Sequence, residues 1–117
     1  MMKEHHHIDF TRVFDILSYQ QKKYPQSKAL NGKQKDNWKS YSIEEVIKQV
    51  DHISCWLIEN KYQKGDRVAV MPKMGSPEWM MIDFACQQAG LILVPVHPTA
   101  SIEEVTFILN ETEAKIC

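Results

Sequence analysis

The sequence predicts an α/β fold: the start of a doubly wound sheet built by β-α-β-α-β crossovers, preceded by two helices and a short hairpin. Three observations carry this. Short β-branched apolar runs alternate with helical periodicities after residue 64. Two segments open with Ser-x-x-Glu capping boxes, at Ser42 and Ser101. Pro25, Gly65 and Gly90 fall between the periodic stretches, although Leu91 to Val96 carries Pro95 inside it. Strands alternating with helices are the pattern of a parallel sheet joined by crossovers.

The first helix is expected from about Thr11 to Lys23, capped by Asp9 or Thr11, with Phe10, Val13, Phe14, Leu17 and Tyr24 as an apolar stripe. Pro25 ends it, because the residue before a proline disfavours helical geometry. Residues 26–40 read as a hairpin or loop; in the hairpin, Ala29-Leu30 runs against Trp38 to Tyr41, with Asn31-Gly32 supplying turn chemistry. Here Lys22, Lys23, Lys28, Lys33, Lys35 and Lys39 face only Asp36, a local charge of +5. Lysines at a strand edge discourage aggregation, and an anionic ligand is the functional alternative.

Ser42 and Glu45 then open the second helix. Its inner stripe is Val46, Val50, Ile53 and Leu57, flanked by Ile43, Ile47 and Ile58, with His52, Cys55 and Trp56 on the other side. Arg67 to Met71 reads as a buried strand. Ser76 and Pro77 start a third helix as cap and first helical residue, and Gly90 stops it. That helix is apolar nearly all round (Trp79, Met80, Met81, Ile82, Phe84, Ala85, Cys86) and wants cover on more than one side. Leu91 to Val96 is another buried strand. Ser101 with Glu104 caps a fourth helix with Ile102, Val105, Ile108 and Leu109 inward, and Ala114 to Cys117 begins one more strand. A buried parallel strand is an unusual stopping place, so an incomplete domain is expected: residues 1–9 as a disordered or tag-like terminus, and 10–117 as the first part of a larger domain. The pentapeptide Ser-Ile-Glu-Glu-Val occurs at 42–46 and again at 101–105. Unlike surroundings make it one capping solution used twice, not an internal repeat.

Composition narrows the function. The 117 residues carry 14 Lys+Arg and 15 Asp+Glu, for a formal charge of −1, without the basic excess of a nucleic-acid binder. At 44% hydrophobic and 25% charged, the chain is ordinary globular material. No apolar run approaches the ~18 residues of a membrane span, and the opening segment lacks a signal peptide's apolar stretch. The expected location is cytoplasmic. Cys55, Cys86 and Cys117 are scattered and odd in number, with no metal or redox spacing. His5, His6 and His7 form a terminal cluster best read as a tag remnant or tail, and no function is assigned to them.

No catalytic signature is present. Gly32, Gly65, Gly75 and Gly90 belong to no phosphate-cradling motif, and neither a Gly-x-Ser-x-Gly elbow nor a His-Glu-x-x-His pair occurs. Position offers one candidate region. In parallel sheets ligands sit beyond the carboxyl ends of strands, which here carry Pro72 to Ser76 and His97 to Ala100. Lys73 at a helix start suits an anion, His97 a proton donor and Thr99 a hydrogen-bond donor. The competing account has Pro72, Pro95 and Pro98 shaping stiff turns that these polar residues merely cap.

In order along the chain stand Trp38-Lys-Ser-Tyr41-Ser-Ile-Glu-Glu-Val46, Lys64-Gly-Asp-Arg-Val-Ala-Val70, Pro77-Glu-Trp79, Ala89-Gly90-Leu-Ile-Leu-Val94-Pro95-Val-His-Pro98-Thr99, and Ile108-Leu109-Asn110-Glu-Thr-Glu-Ala-Lys115. This series, from about Thr11 to Cys117, resembles the opening of an adenylate-forming enzyme and is most similar to AMP-forming long-chain fatty-acid–CoA ligases. Peptide-synthetase adenylation domains usually carry an aspartate where His97 stands here. The resemblance implies a parent enzyme in which a carboxylate attacks the α-phosphate of ATP with Mg²⁺ assistance, after which coenzyme A displaces AMP. The family's phosphate loop, acidic metal-binding segment, ribose-binding aspartate and mobile-domain lysine all lie downstream of the matched region. The resemblance therefore implies no catalytic, cofactor-binding or metal residue within these 117, and no ATP, Mg²⁺ or coenzyme A bound to this chain alone. Tyr41, Gly65, Asp66, Trp79, Gly90 and Pro95 are the scaffold positions it implies. Lys73-Met74-Gly75 replaces a more polar family loop and Ala100 a frequent serine, which leaves acyl chain length unreadable. The implied partners are a fatty acid or other carboxylate and the rest of the same polypeptide; a fragment should also expose surface meant for that remainder, so self-association through Trp56 and parts of the Pro77–Ala89 helix is expected. The other readings are a stand-alone interaction module, or a piece of an aryl-acid ligase or peptide-synthetase adenylation domain.

Overall fold

Two short capping sequences organise the helices, and the computed structural model, which describes residues 12–73 and 76–117, shows both formed. At α2 (Ile43–Glu59) the Glu45 amide donates to Ser42 Oγ at 3.2 Å, and the Ser42 amide donates to Glu45 Oε1 at 3.5 Å. At α4 (Ile102–Thr112) the equivalent bonds are Glu104 N–H to Ser101 Oγ, 3.2 Å, and Ser101 N–H to Glu104 Oε2, 2.7 Å. Both serines hold φ −70° and ψ 164°. Each box satisfies two amides that a helix start otherwise leaves open. Ser42→Ala and Ser101→Ala should each cost about 1 kcal/mol. For Ser101→Ala the loss should show as faster amide exchange confined to α4, because no residue of α4 is buried.

The first helix begins later than its periodicity suggests. A 3-10 turn at Val13–Asp15 leads into α1 (Ile16–Lys23). The start is held by Asp15, whose carboxylate accepts from the Arg12 amide and guanidinium at 3.1–3.2 Å. The expected caps Asp9 and Thr11, and Phe10 of the stripe, lie outside the described residues. Of the remaining stripe only Leu17 is buried, while Val13 and Tyr24 are exposed. The stop before Pro25 falls where expected.

The hairpin corrects the sequence reading more sharply. Strands β1 (Leu30–Gln34) and β2 (Asn37–Tyr41) pair antiparallel, with Gly32 opposite Lys39 and Gln34 opposite Asn37. The turn is therefore Lys35-Asp36, with Lys35 at φ 54°, and Asn31-Gly32 lies inside a strand. Gly32 serves a close approach instead: a Cβ there would meet Pro77 Cδ at 2.5 Å and Cγ at 2.8 Å.

In the second half β3 (Arg67–Val70) pairs parallel with β4 (Ile92–Pro95), joined by α3 (Pro77–Ala89). Beyond α4 the chain returns to the other side of β3, where Ile116 forms a single parallel bridge with Val68. The Ala69 amide donates to Ile116 O at 2.9 Å, and the Lys115 amide to Arg67 O at 2.8 Å. The β-α-β-α-β order is thus present, its last member reduced to that bridge. Ser76 has the extended backbone of a cap, but its hydroxyl makes no capping bond, and Pro77 at the first position has no N–H to satisfy. Gly90, at φ 75°, closes α3 in the left-handed geometry that glycine adopts without strain. Its carbonyl accepts from the Gly65 amide at 2.9 Å, and Asp66 O accepts from the Ile92 amide at 2.8 Å, so these residues tie the entries of β3 and β4 together. Asp66 also uses its carboxylate, accepting from the Gln63 amide at 2.9 Å.

The core lies between α2 and α3. Leu17, Tyr41, Ile43, Val46, Val50, Met81 and Ala85 form one cluster; Leu57, Val68, Cys86 and Leu91 form a second, with Ile53 against both. Helix α3 is packed by α2, β1 and β4, the multi-sided cover its composition demands. Ser54 is buried between the helices, and its hydroxyl is shared by Gln88 Oε1 (3.0 Å) and Asp51 O (3.1 Å). His52, Cys55 and Trp56 face away from this core, and Ile58 joins them rather than the inner stripe. Burial falls short of expectation in three further places. Met71, expected in the buried strand from Arg67, lies beyond β3 and is 44% exposed. Strand β4 leaves Ile92 and Pro95 exposed, and α4 leaves Ile102 83% exposed, because little in the described residues covers that side. Among the described residues no helix is long and apolar enough to cross a membrane.

Candidate functional site

The carboxyl ends of β3 and β4 lie side by side, with the Val96 amide donating to Val70 O at 2.8 Å. The loops that follow diverge into two clefts. Lys73 and Ser76 line one of about 730 Å³, shared with the hairpin. His97 and Thr99 line another of about 680 Å³, against Glu103, Glu104, Phe107 and Ile108 of α4. The two loops could neighbour each other by their place after adjacent strands, and in the structure Lys73 and His97 line different clefts.

His97 and Thr99 are engaged with each other. The Thr99 amide reaches His97 Nδ1 at 3.3 Å and Thr99 Oγ1 lies 2.7 Å from the same nitrogen. With Nδ1 accepting, the neutral ring carries its proton on Nε2. This is turn-building between exposed residues, and it matches the structural account of the Pro98 loop. It leaves Nε2–H as the group able to donate outward.

The first cleft gathers what two distant stretches of sequence supply: Lys33, Lys35, Trp38 and Lys39 from the hairpin, and Lys73, Ser76, Pro77 and Glu78 from the entry to α3. Tyr41 Oη donates to Glu78 Oε1 at 3.4 Å, which joins the two walls, and Lys39 Nζ sits 5.1 Å from the Tyr41 ring centroid. Lysine clustering was visible in the sequence; its meeting with Lys73 was not, since about 35 residues separate them.

Of the three cysteines, Cys86 is buried, while Cys55 and Cys117 are exposed. The Cys86 thiol is pushed up from its ordinary 9.0 to about 11, first by burial and then by the Asp83 carboxylate, and so stays protonated. No set of three His, Cys, Asp or Glu close enough to hold a metal ion occurs among the described residues, and His5–His7 lie outside them.

The α/β layout and the five-part residue series together point to the AMP-binding class of domain. The chain belongs to the AMP-binding enzyme family, which it matches over residues 17–117. It is 32% identical over 79 residues to the long-chain-fatty-acid–CoA ligase FadD15 of Mycobacterium tuberculosis, covering 68% of this chain and 13% of that protein. It is 28% identical over 117 residues to the mitochondrial medium-chain acyl-CoA ligase ACSF2 of Danio rerio, covering 96% and 18%. The chain therefore spans less than a fifth of either relative. Among solved structures, it superposes on the fatty acyl-adenylate ligase from L. pneumophila with a TM-score of 0.78 at 20% identity, over 91% of this chain and 19% of that one. On the NpsA N-terminal subdomain of Klebsiella oxytoca the TM-score is 0.77 at 24% identity, over 92% and 27%. These two likenesses concern the fold.

Proposed function

We propose that this chain is the N-terminal scaffold of an ATP-dependent fatty-acid–CoA ligase, which joins a carboxylate to coenzyme A and releases AMP and pyrophosphate. The observation that carries the reading is the family match across residues 17–117, with fatty-acyl and medium-chain acyl–CoA ligases among the relatives. In such a reaction most of the catalysis is positioning and charge neutralisation. The described residues contribute neither a metal ligand set nor a phosphate-cradling glycine loop, so their part is to build the sheet and helices on which the reaction centre rests. Exposed Ile92, Ile102 and Phe107 support this: apolar surface of that kind wants protein cover, and the rest of the same polypeptide is the proposed cover.

The test is ATP–pyrophosphate exchange. The 117-residue chain alone should give none, whereas a polypeptide carrying this sequence onward through a phosphate-binding loop should exchange when a fatty acid is added. Exchange by the isolated chain would overturn the scaffold role. Exchange that responds to aryl acids and not fatty acids would move the parent to another branch of the family.

A further inference from the structure

We propose that the cleft between the β1–β2 hairpin and the start of α3 binds a small soluble polyphosphate, with Lys33, Lys35, Lys39 and Lys73 as counter-charges and the Trp38 indole against its organic part.

Charge is the first argument. Four lysines and one glutamate line the cleft, a net +3, on a chain whose total formal charge is −1. Among the described residues none of the four forms an ion pair; the pair present there is Arg12–Asp15. Glu78, the cleft's one acid, is engaged by the Tyr41 hydroxyl. Like charges converging on one concavity raise its potential and draw in a multivalent anion. Lys39 lies close to the Tyr41 ring, so its ammonium is held at the cleft wall.

Shape is the second. The volume of about 730 Å³ suits a nucleotide-sized molecule, since small-molecule sites span roughly 300–1,000 Å³. Ser76 and Pro77 at the amino end of the 13-residue α3 form part of the lining, which adds the positive end of a helix dipole to the lysines. Trp38 lines the same cleft and is 70% exposed, a free aromatic face of the kind that stacks on a base. A concave site favours a soluble ligand over a flat lipid surface. The inference is independent of the ligase reading, because its test reads binding and not catalysis.

Calorimetry of the 117-residue chain with inorganic tripolyphosphate and with ADP should show saturable binding of both. Lys33→Glu combined with Lys73→Glu, one from each wall, should weaken it by about tenfold or more. Lys48→Glu with Lys115→Glu changes the net charge equally on exposed sites elsewhere and should leave binding intact; circular dichroism checks that both variants fold. Independently of any variant, tripolyphosphate should shift the backbone amide resonances of Lys33, Lys35, Trp38 and Lys73 in the unaltered chain. Absence of saturable binding, equal weakening by both double variants, or resonance shifts centred elsewhere would overturn the proposal. So would binding to phosphatidylserine-containing vesicles that tripolyphosphate fails to displace.

Discussion

Leu57→Ala should lower the unfolding free energy of this chain by about 2–5 kcal/mol, the range for deleting a large aliphatic side chain from a packed core. Leu57 is 4% exposed and packs in the cluster that joins α2 to β3, α3 and the entry of β4 through Val68, Cys86 and Leu91. The loss combines transfer of the missing carbons with a cavity that two helices and a strand cannot close together. Ile58→Ala, one residue on, is the control: Ile58 is 58% exposed, and its truncation should stay within about 0.5 kcal/mol. Denaturant titration of the two variants side by side checks this. A small effect at Leu57 would mean that the second cluster does not bind the two halves of the molecule.

Gly32→Ala should destabilise by about 1–3 kcal/mol, because overpacking forces backbone to move. The obstacle is the Pro77 ring, which cannot swing aside as a flexible side chain would. The hairpin must rise from α3, which also stretches the Tyr41–Glu78 hydrogen bond. The cost should shrink when Pro77→Ala is introduced as well, since that removes the clashing Cγ and Cδ. Such non-additivity between touching residues is what a double-mutant cycle measures. Equal cost in both backgrounds would place the strain in the strand and not at the contact.

The same glycine shows where sequence reasoning stops. Asn31-Gly32 has good turn chemistry, yet the turn forms at Lys35-Asp36, because Gly32 is needed for a contact with a residue 45 positions away. No local window contains that information. The repeated pentapeptide makes the complementary point: Ser42 and Ser101 adopt the same dihedrals and form the same box, so these two caps were legible, although Ser76, also expected as a cap, makes no capping bond. Burial was not, since Ile43 is 5% exposed and its counterpart Ile102 is 83% exposed. The difference is whatever packs above each helix. The lysines divide likewise: a charged hairpin could be read along the chain, whereas its closure into a cleft needed Lys73 and the start of α3 to come against it. His97 and Thr99 were correctly singled out as a loop, and their mutual hydrogen bonding follows from a spacing of two.

Strand β4 has one hydrogen-bonding neighbour among the described residues, β3, which leaves its far rim open. The Ile92 and Val96 amides point to β3, donating to Asp66 O and Val70 O, so alternation turns Leu93 and Pro95 to the open rim; Pro95 has no amide, which leaves Leu93 N–H as the donor of β4 there. One free amide and a proline are a narrow template. They admit a short, correctly aligned newcomer and give little purchase to runaway stacking of one molecule on the next.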